Sequence, residues 1–570
     1  MSKPRRSQNY KGPKVTDTKQ KEKEKSNKRV WKIPYFPLLF IALWIFSSII
    51  YGDVFYMSQQ TSFFAWDSTI MFSVLNQNFG WIDAIGRFLL LAFHYPLLGG
   101  AILALMLTFS AWLLDYLLGN KVKLHWIPML LPFAFLGYFI YLDYSINYMR
   151  ETSLVMSVPF CSLVILALLT LAKRIVTRKH IPVIYKTQKE DANRTSLLTC
   201  AVVIVLFTGF TLYCTEKREN IIMTSKMQRM MEDSNWDSMI DEALSNKQPA
   251  RSVAAYYALA LAETGQLENR LFEIPYNFPE TTVVAPDEKE NDGVSIYSID
   301  GDFYAGLVNS SYHTAMETLV RRGPQVFTLK RLARAAAMNG ESELCHKYLE
   351  ILSRCLVENE FVKRYSEYAD NTVRMHAEPE FAHVAAKMPL DDSFEQNYRT
   401  PFFIGYNVAL RGGRSSEALR TSIMACLYAK ETDFLNRVIL LRDSVLSPYM
   451  EQAITLQSMR RPQIMNGYHF DKNMNVARLQ NFVNDARPWL KNKETEKGLS
   501  YKDYLRILLF LKDTKEVTMR LADRIEENIR SLPEKEYFRI DQCVTKLEIE
   551  NKVTVYGDIS YTFPAYFGYQ

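Results

Sequence analysis

The chain has 570 residues, 68 Lys+Arg against 62 Asp+Glu, 48% hydrophobic and 23% charged residues, and a mean hydropathy of −0.13. With Gly and Pro at 22 each and Cys at 7, collagen-like, disulfide-dense and broadly disordered classes are excluded. The averages suit a soluble chain of several domains, yet charge is distributed so unevenly that they describe neither half.

Residues 1–32 hold twelve Lys/Arg, three acids and almost no large apolar residue. Such a segment cannot bury enough surface to offset its ordering entropy, so a disordered basic tail on the cytoplasmic side is expected. The basic stretch is too long for a secretory signal, and no small-residue cleavage site follows it. Five long uncharged runs come next, at about 33–50, 88–114, 126–142, 152–172 and 195–215. A bilayer core of about 30 Å takes roughly 20 apolar residues as helix, so 33–215 is expected to be a five-helix transmembrane domain. The shortest run, 126–142, is framed by Trp126 and by Tyr138, Tyr141, Tyr144 and Tyr148, as in an interfacial aromatic belt.

The connecting segments alternate in charge. The tail, 119–125 with Lys121 and Lys123, and 173–194 with seven Lys/Arg are basic; 51–87 has one Arg and three Asp, and 143–151 one Arg and two acids. By the positive-inside rule the amino terminus is expected to be cytoplasmic and everything after Thr215 outside, in a bacterial inner membrane with the outer domain in the periplasm. Residues 63–82 are apolar but carry Asp67, Asn76, Gln77 and Asn78. As a sixth span they would put the basic 173–194 segment outside, so an interfacial helix on the outer leaflet is expected.

From 216 to 570 there are 45 Lys/Arg and 51 Asp/Glu, a net charge of −6 over 355 residues. The texture is helical, rich in Ala, Leu, Glu and Arg with Gly or Pro breaks. Helix pairs are read at 236–245 with 249–264, at 324–339 with 341–355, and at 400–410 with 415–429, ended by Gly265, Gly340 and Gly412-Gly413. RLARAAAMNGESELCHKYLEIL, with Gly340 and Cys345, and YNVALRGGRSSEALRTSIMACL, with Gly413, Ala418 and Ala425, resemble tetratricopeptide-type repeats. That resemblance implies an extracytoplasmic helical-repeat domain over 216–545 with a concave binding surface. Residues 273–301 form an acidic, Pro-containing insertion, and the aromatic segment 546–570 is expected to cap the last repeat.

Motifs for chemistry are sparse. No GxGxxG after a strand, P-loop, HExxH or GxSxG is present. His376 and His383 are seven apart on an expected helix without a ligand set, so no metal and no cofactor is expected. His94, in the second apolar run, is read as a neutral packing histidine. The thiols Cys161, Cys200, Cys214, Cys345, Cys355, Cys426 and Cys543 are read as core residues. The most suggestive polar set is Asp53, Asp67, Asp143, Arg150 and Glu151, all in segments expected outside. Asp53, directly after the first apolar run, resembles the acidic residue in the first outer loop of polytopic glycosyltransferases that use lipid-phosphate sugar donors. That likeness implies a metal ligand or base, and it covers one residue. As a whole, the basic tail, YGDVFYM, FFAWDS, NYMRETS and the helical second half resemble a multi-pass membrane-protein family of Bacteroidota with no assigned activity.

These features predict a non-enzymatic scaffold or adaptor. It sits in the lipid bilayer and binds a protein or envelope partner through its outer domain, with no role for nucleic acid. The alternative is a membrane enzyme acting on a lipid-linked substrate through Asp53 and Asp67.

Overall fold

The computed structural model describes residues 35–118, 126–141, 152–177, 189–247, 249–274, 299–388, 416–428, 438–441, 444–458 and 462–477. The basic tail, most of the 273–301 insertion, the helix expected at 400–410 with Gly412-Gly413, the aromatic segment 546–570, and Asp143, Arg150, Glu151 and Cys543 lie outside these residues. Every regular element among the described residues is helical, in agreement with an all-α chain.

Helix α1 (Tyr35–Ile45) continues through a π turn, Phe46–Ile50, and α2 (Gly52–Gln60) follows at a bend of 64°. A π turn next to a glycine is a sufficient cause for such a kink. After short α3 (Phe72–Leu75) come α4 (Gly80–Leu90), a 3-10 turn at Leu91–His94, and α5 (Pro96–Leu118). Proline has no N–H to donate and favours a first helical turn, so the apolar run read as 88–114 is divided at Pro96. Helices α6 (Leu130–Tyr141), α7 (Leu154–Thr177) and α8 (Lys189–Lys217) complete the apolar half. Helix α5 is its centre: α1, α6 and α7 pack on α5, α8 packs on α1, and α4 lies against α7.

Among the described residues, three helical stretches are long and apolar enough to cross a membrane, Pro96–Leu118, Leu154–Val176 and Leu197–Lys217, and the bent pair 35–60 would be a fourth if it counts as one span. Twelve-residue α6 is only about 18 Å long by helical rise. Residues 63–82 do not form the single interfacial helix expected of them. Their chain is irregular up to α3, and α4 begins only at Gly80. Phe63, Phe64, Ala65, Met71 and Val74 join the core of the charged half, while Trp66, Phe72, Phe79 and Trp81 are exposed. The segment therefore has one face on protein and one free apolar face, which a uniform reading of its composition could not separate.

Helices α1 and α5 meet at small residues. The Ser47 hydroxyl donates to the Leu43 and Gly100 carbonyls, at 2.6 and 3.2 Å. A Cβ on Gly100 would stand 2.1 Å from Ser48 Oγ and 3.0 Å from the Ser48 backbone nitrogen. Gly100→Val is expected to force the two helices apart, at about 1–3 kcal/mol for overpacking. A drop in the thermal midpoint of the detergent-purified chain measures it, and an unchanged midpoint would show that the contact gives way freely.

The charged half is a succession of short helices: α9 (Glu219–Glu232), α10 (Trp236–Ser245), α11 (Arg251–Glu263), α12 (Leu267–Arg270), α13 (Val308–Arg322), α14 (Val326–Asn339), α15 (Ser342–Ser353), α16 (Asn359–Asp370), α17 (Thr372–Ala377), α18 (Pro379–Lys387), α19 (Ser416–Tyr428) and α20 (Pro448–Ser458). Neighbours in sequence pack together, α13 on α14, α14 on α15 and α15 on α16. Gly265 and Gly340 end α11 and α14 with φ of +70° and +77°, the left-handed turn that glycine adopts without a Cβ penalty. Helix α14 is the hub, buried from Val326 to Met338.

Candidate functional site, a buried ionic junction

Helix α14, VFTLKRLARAAAMN, carries three cations in a buried element, and buried charges persist only when paired. Their anionic partners come from the charged half, and the apolar half adds Gln60. Lys330 Nζ lies 2.8 Å from Glu358 Oε2 and 3.9 Å from Glu232 Oε2. Arg331 donates to Asp300 through Nε and Nη2, at 3.0 and 3.3 Å, and to Glu232 Oε1 through Nη1 at 3.1 Å. Arg334 Nη2 adds a third bond to Asp300, at 2.8 Å. The guanidinium groups of Arg331 and Arg334 rest on the Phe327 and Phe303 rings, at 3.8 and 4.0 Å, which favours a desolvated cation.

The apolar half supplies the facing wall. Arg229 Nη1 is 2.9 Å from Asp53 Oδ1, and Tyr56 donates its hydroxyl to Glu232 Oε2 at 2.9 Å. Each pair is separated by 176 residues, so α2 and α9 run side by side in the same direction and in register. One turn further, Gln60 donates to Glu358 Oε1 and accepts from Lys330, both at 3.3 Å. His94 stands at the rim with Nδ1 3.8 Å from Glu358 Oε1. The backbone joins in: Val326 N–H, one of the free donors at the start of α14, bonds to the Ser62 carbonyl at 3.1 Å.

Asp53, Glu232, Asp300 and Glu358 face Arg229, Lys330, Arg331 and Arg334, four charges of each sign. A balanced network leaves no carboxylate poised as a free base or nucleophile. Glu232 illustrates the balance. Burial alone would raise its pKa, but Lys330, Arg331 and the Tyr56 hydroxyl hold it down to about 2. Burial lowers His94, the nearby Glu358 only partly offsetting it.

Both shifts lie below their ordinary values of 4.5 and 6.5, so each group adds stability above its ordinary value and withdraws it as pH falls. Protonating His94 weakens the junction first, below pH 6.5, and Glu232 follows from 4.5 downward. Thermal midpoints from pH 7 to pH 3 should fall on acidification, less steeply in Glu232→Gln, and a flat profile would show that the junction contributes nothing.

The carboxylates singled out from sequence are dispersed. Asp53 belongs to the junction. Asp67 accepts from the backbone N–H and hydroxyl of Thr69, at 2.9 and 2.6 Å, in a surface turn, and those bonds lower its pKa. Asp83, also in the 51–87 segment, pairs with Arg87 at 2.9 Å. His376 and His383 fall on separate helices, because Pro379 opens α18. His376 meets the Met338 carbonyl and His383 meets Glu417. Among the described residues, no three His, Cys, Asp or Glu are grouped to hold a metal.

A smaller ionic cluster, buried Lys387 with buried Glu263 and part-exposed Glu417 at 3.4 and 3.2 Å, ties α18 to α11 and α19. Lys330, Arg331, Arg334, Glu232, Asp300 and Glu358 escaped the sequence reading. The legible signal was the triplet of cations in an Ala- and Leu-rich helix.

A family profile matches residues 28–185 and 138–503, across both halves and the junction between them. The chain belongs to the family of unknown function DUF6057. Residues 471–555 of this DUF6057 chain also match DUF5702, a second family of unknown function. No curated protein and no solved structure matches it significantly. Family membership thus places the junction inside a shared sequence unit without assigning it an activity.

Proposed function

We propose that this DUF6057 chain is a multi-pass inner-membrane protein whose charged half, held outside the cytoplasm in a fixed orientation, binds a protein or envelope partner. The observation that carries the reading is the charge-balanced junction, which locks α2 and His94 of the apolar half to α9, α14 and α16. Such a network suits a rigid mount.

The placement in the membrane rests on several features. Apolar side chains such as Leu105, Ile165, Leu168 and Val205 project outward from the bundle, a surface that lipid covers at no cost. Tyr35–Ile50 and Leu130–Tyr141 are taken as two further passes beside the three long ones, giving five. At one end of α5, Lys173 Nζ donates to the Tyr116 and Leu117 carbonyls beside the basic segments. The junction adjoins the other end, about 35 Å away by helical rise over 23 residues. The positive-inside rule then puts the junction outside and the amino terminus in the cytoplasm. Stacked short helices closed by Gly265 and Gly340 support a tetratricopeptide-like binding surface.

A photo-reactive amino acid placed in the full-length chain at exposed Val320, Val373 or Val445 should capture one discrete partner in native membranes. Capture at none of the three would count against the reading. Asp53→Asn separates the enzyme alternative: loss of cellular phenotype with normal expression and unchanged partner capture would favour chemistry at Asp53 over binding.

A further inference from the structure

Helices α6 and α7 both pack on α5 but scarcely meet each other. Between them runs a groove of about 450 Å³, floored by Leu114 of α5 and walled by Leu131 and Phe135 of α6 and by the 154–166 face of α7. Its volume lies in the range of ligand sites, and such sites combine apolar walls with a few placed polar groups. The α7 wall repeats at helical spacing through Leu154, Ser157, Cys161, Ile165 and Leu166, so the groove is about 18 Å long by helical rise. That is close to half of a bilayer core of about 30 Å, the depth of one leaflet.

The two ends differ. Ile82 of α4 closes the end where α7 begins. There α4 presses so closely on α7 that a Cβ on Gly86 would lie 2.7 Å from the Ser153 carbonyl oxygen and 2.8 Å from Ser157 Cβ. Ser157 lines the groove at this end and is 1% exposed, and its hydroxyl has no hydrogen-bond partner among the described residues. The Asp83–Arg87 ion pair and exposed Trp81 follow on α4, side chains typical of headgroup depth. At the other end Leu114, Leu131 and Leu166 are wholly apolar.

We infer that this groove binds one acyl chain of an outer-leaflet glycerophospholipid, with the Ser157 hydroxyl donating to its ester carbonyl. An unpaired buried hydroxyl is costly, and an ester carbonyl arriving at that depth satisfies it. The hydrocarbon tail then fills the slot that α6 and α7 leave between them. The inference rests on the membrane placement proposed above and is independent of any partner of the charged half.

The test uses the full-length chain in nanodiscs made with phospholipids whose acyl chains carry a diazirine, near the ester in one probe and near the terminal methyl in another. Cross-links are mapped by mass spectrometry. The ester-proximal probe should label Ile82 and Leu154, and the terminal probe Leu114, Leu131 and Leu166, each several-fold above Leu168, which is 60% exposed on the same helix. Ser162→Phe, which fills the groove, should abolish the groove labels and keep the Leu168 label. An ether-linked probe, lacking the carbonyl, should label the groove about fivefold less, the order of one hydrogen bond.

Groove positions labelled no more than Leu168 would overturn the inference, as would displacement of the probe by equimolar polyprenyl phosphate or equal labelling by the ether analogue. Absence of label at Leu168 as well would instead remove the membrane placement itself.

Discussion

Asp300→Ala destabilises the protein by about 3–5 kcal/mol, the usual consequence of removing one partner from a buried ion pair. Asp300 is 0% exposed and accepts three bonds from Arg331 and Arg334. Without it both guanidinium groups stay buried in α14, and Arg331 keeps only Glu232 as an anion. Asp300→Asn retains the shape but not the charge and should cost less. Arg334→Leu added to Asp300→Ala should recover part of the loss, because the two sites are coupled. Arg229→Ala is the control: its pair with Asp53 is partly solvated, so about 0–1 kcal/mol is expected. Denaturant unfolding of the detergent-purified variants gives the ranking. If Asp300→Ala costs no more than Arg229→Ala, the network does not hold the fold.

Lys330→Met is the second large effect, and its result is a loosened joint between the halves. Lys330 separates Glu358 from Glu232 and also donates to Gln60. Once it is gone, Glu358, at 2% side-chain exposure, is left as a buried charge without its cation, which favours opening of the contact. A loss of about 3 kcal/mol corresponds to roughly a hundredfold faster exchange of the Gly52–Gln60 amides if they exchange by local opening. Lys330→Met with Glu358→Met should restore slow exchange, since an apolar pair of similar volume replaces a buried ion pair at little cost. A double variant as loose as the single one would show that lost packing, and not uncompensated charge, is responsible.

Local features were legible and distant ones were not. The helices at 236–245, 326–339 and 342–353, and the turns at Gly265 and Gly340, follow from patterns contained within a few residues. His94 was read as a packing residue inside a span. It lies instead at the junction, because Pro96 starts the long apolar helix after it and Glu358 is brought to it from the other half. Asp53 was noticed for standing after an apolar run, whereas its role in the fold comes from Arg229, 176 residues away. The partners of Gln60 lie 270 and 298 residues away, and no periodicity reports on such distances.

The sequence by itself determined that the described residues are helical, that an apolar half precedes a charged one, and that basic and non-basic connections alternate. Periodicity, composition and charge are properties of short stretches, and they survive without knowledge of the fold. Only the tertiary structure decided that Tyr56, Met57, Phe63, Phe64, Met71 and Val74 join the core of the charged half, that three cations of α14 are neutralised by Glu232, Asp300 and Glu358 and tied to the apolar half through Gln60, and that α6 and α7 leave a groove between them. Burial, pairing and vacancy arise when distant segments compete for the same space, and that competition is settled only when the whole chain has packed.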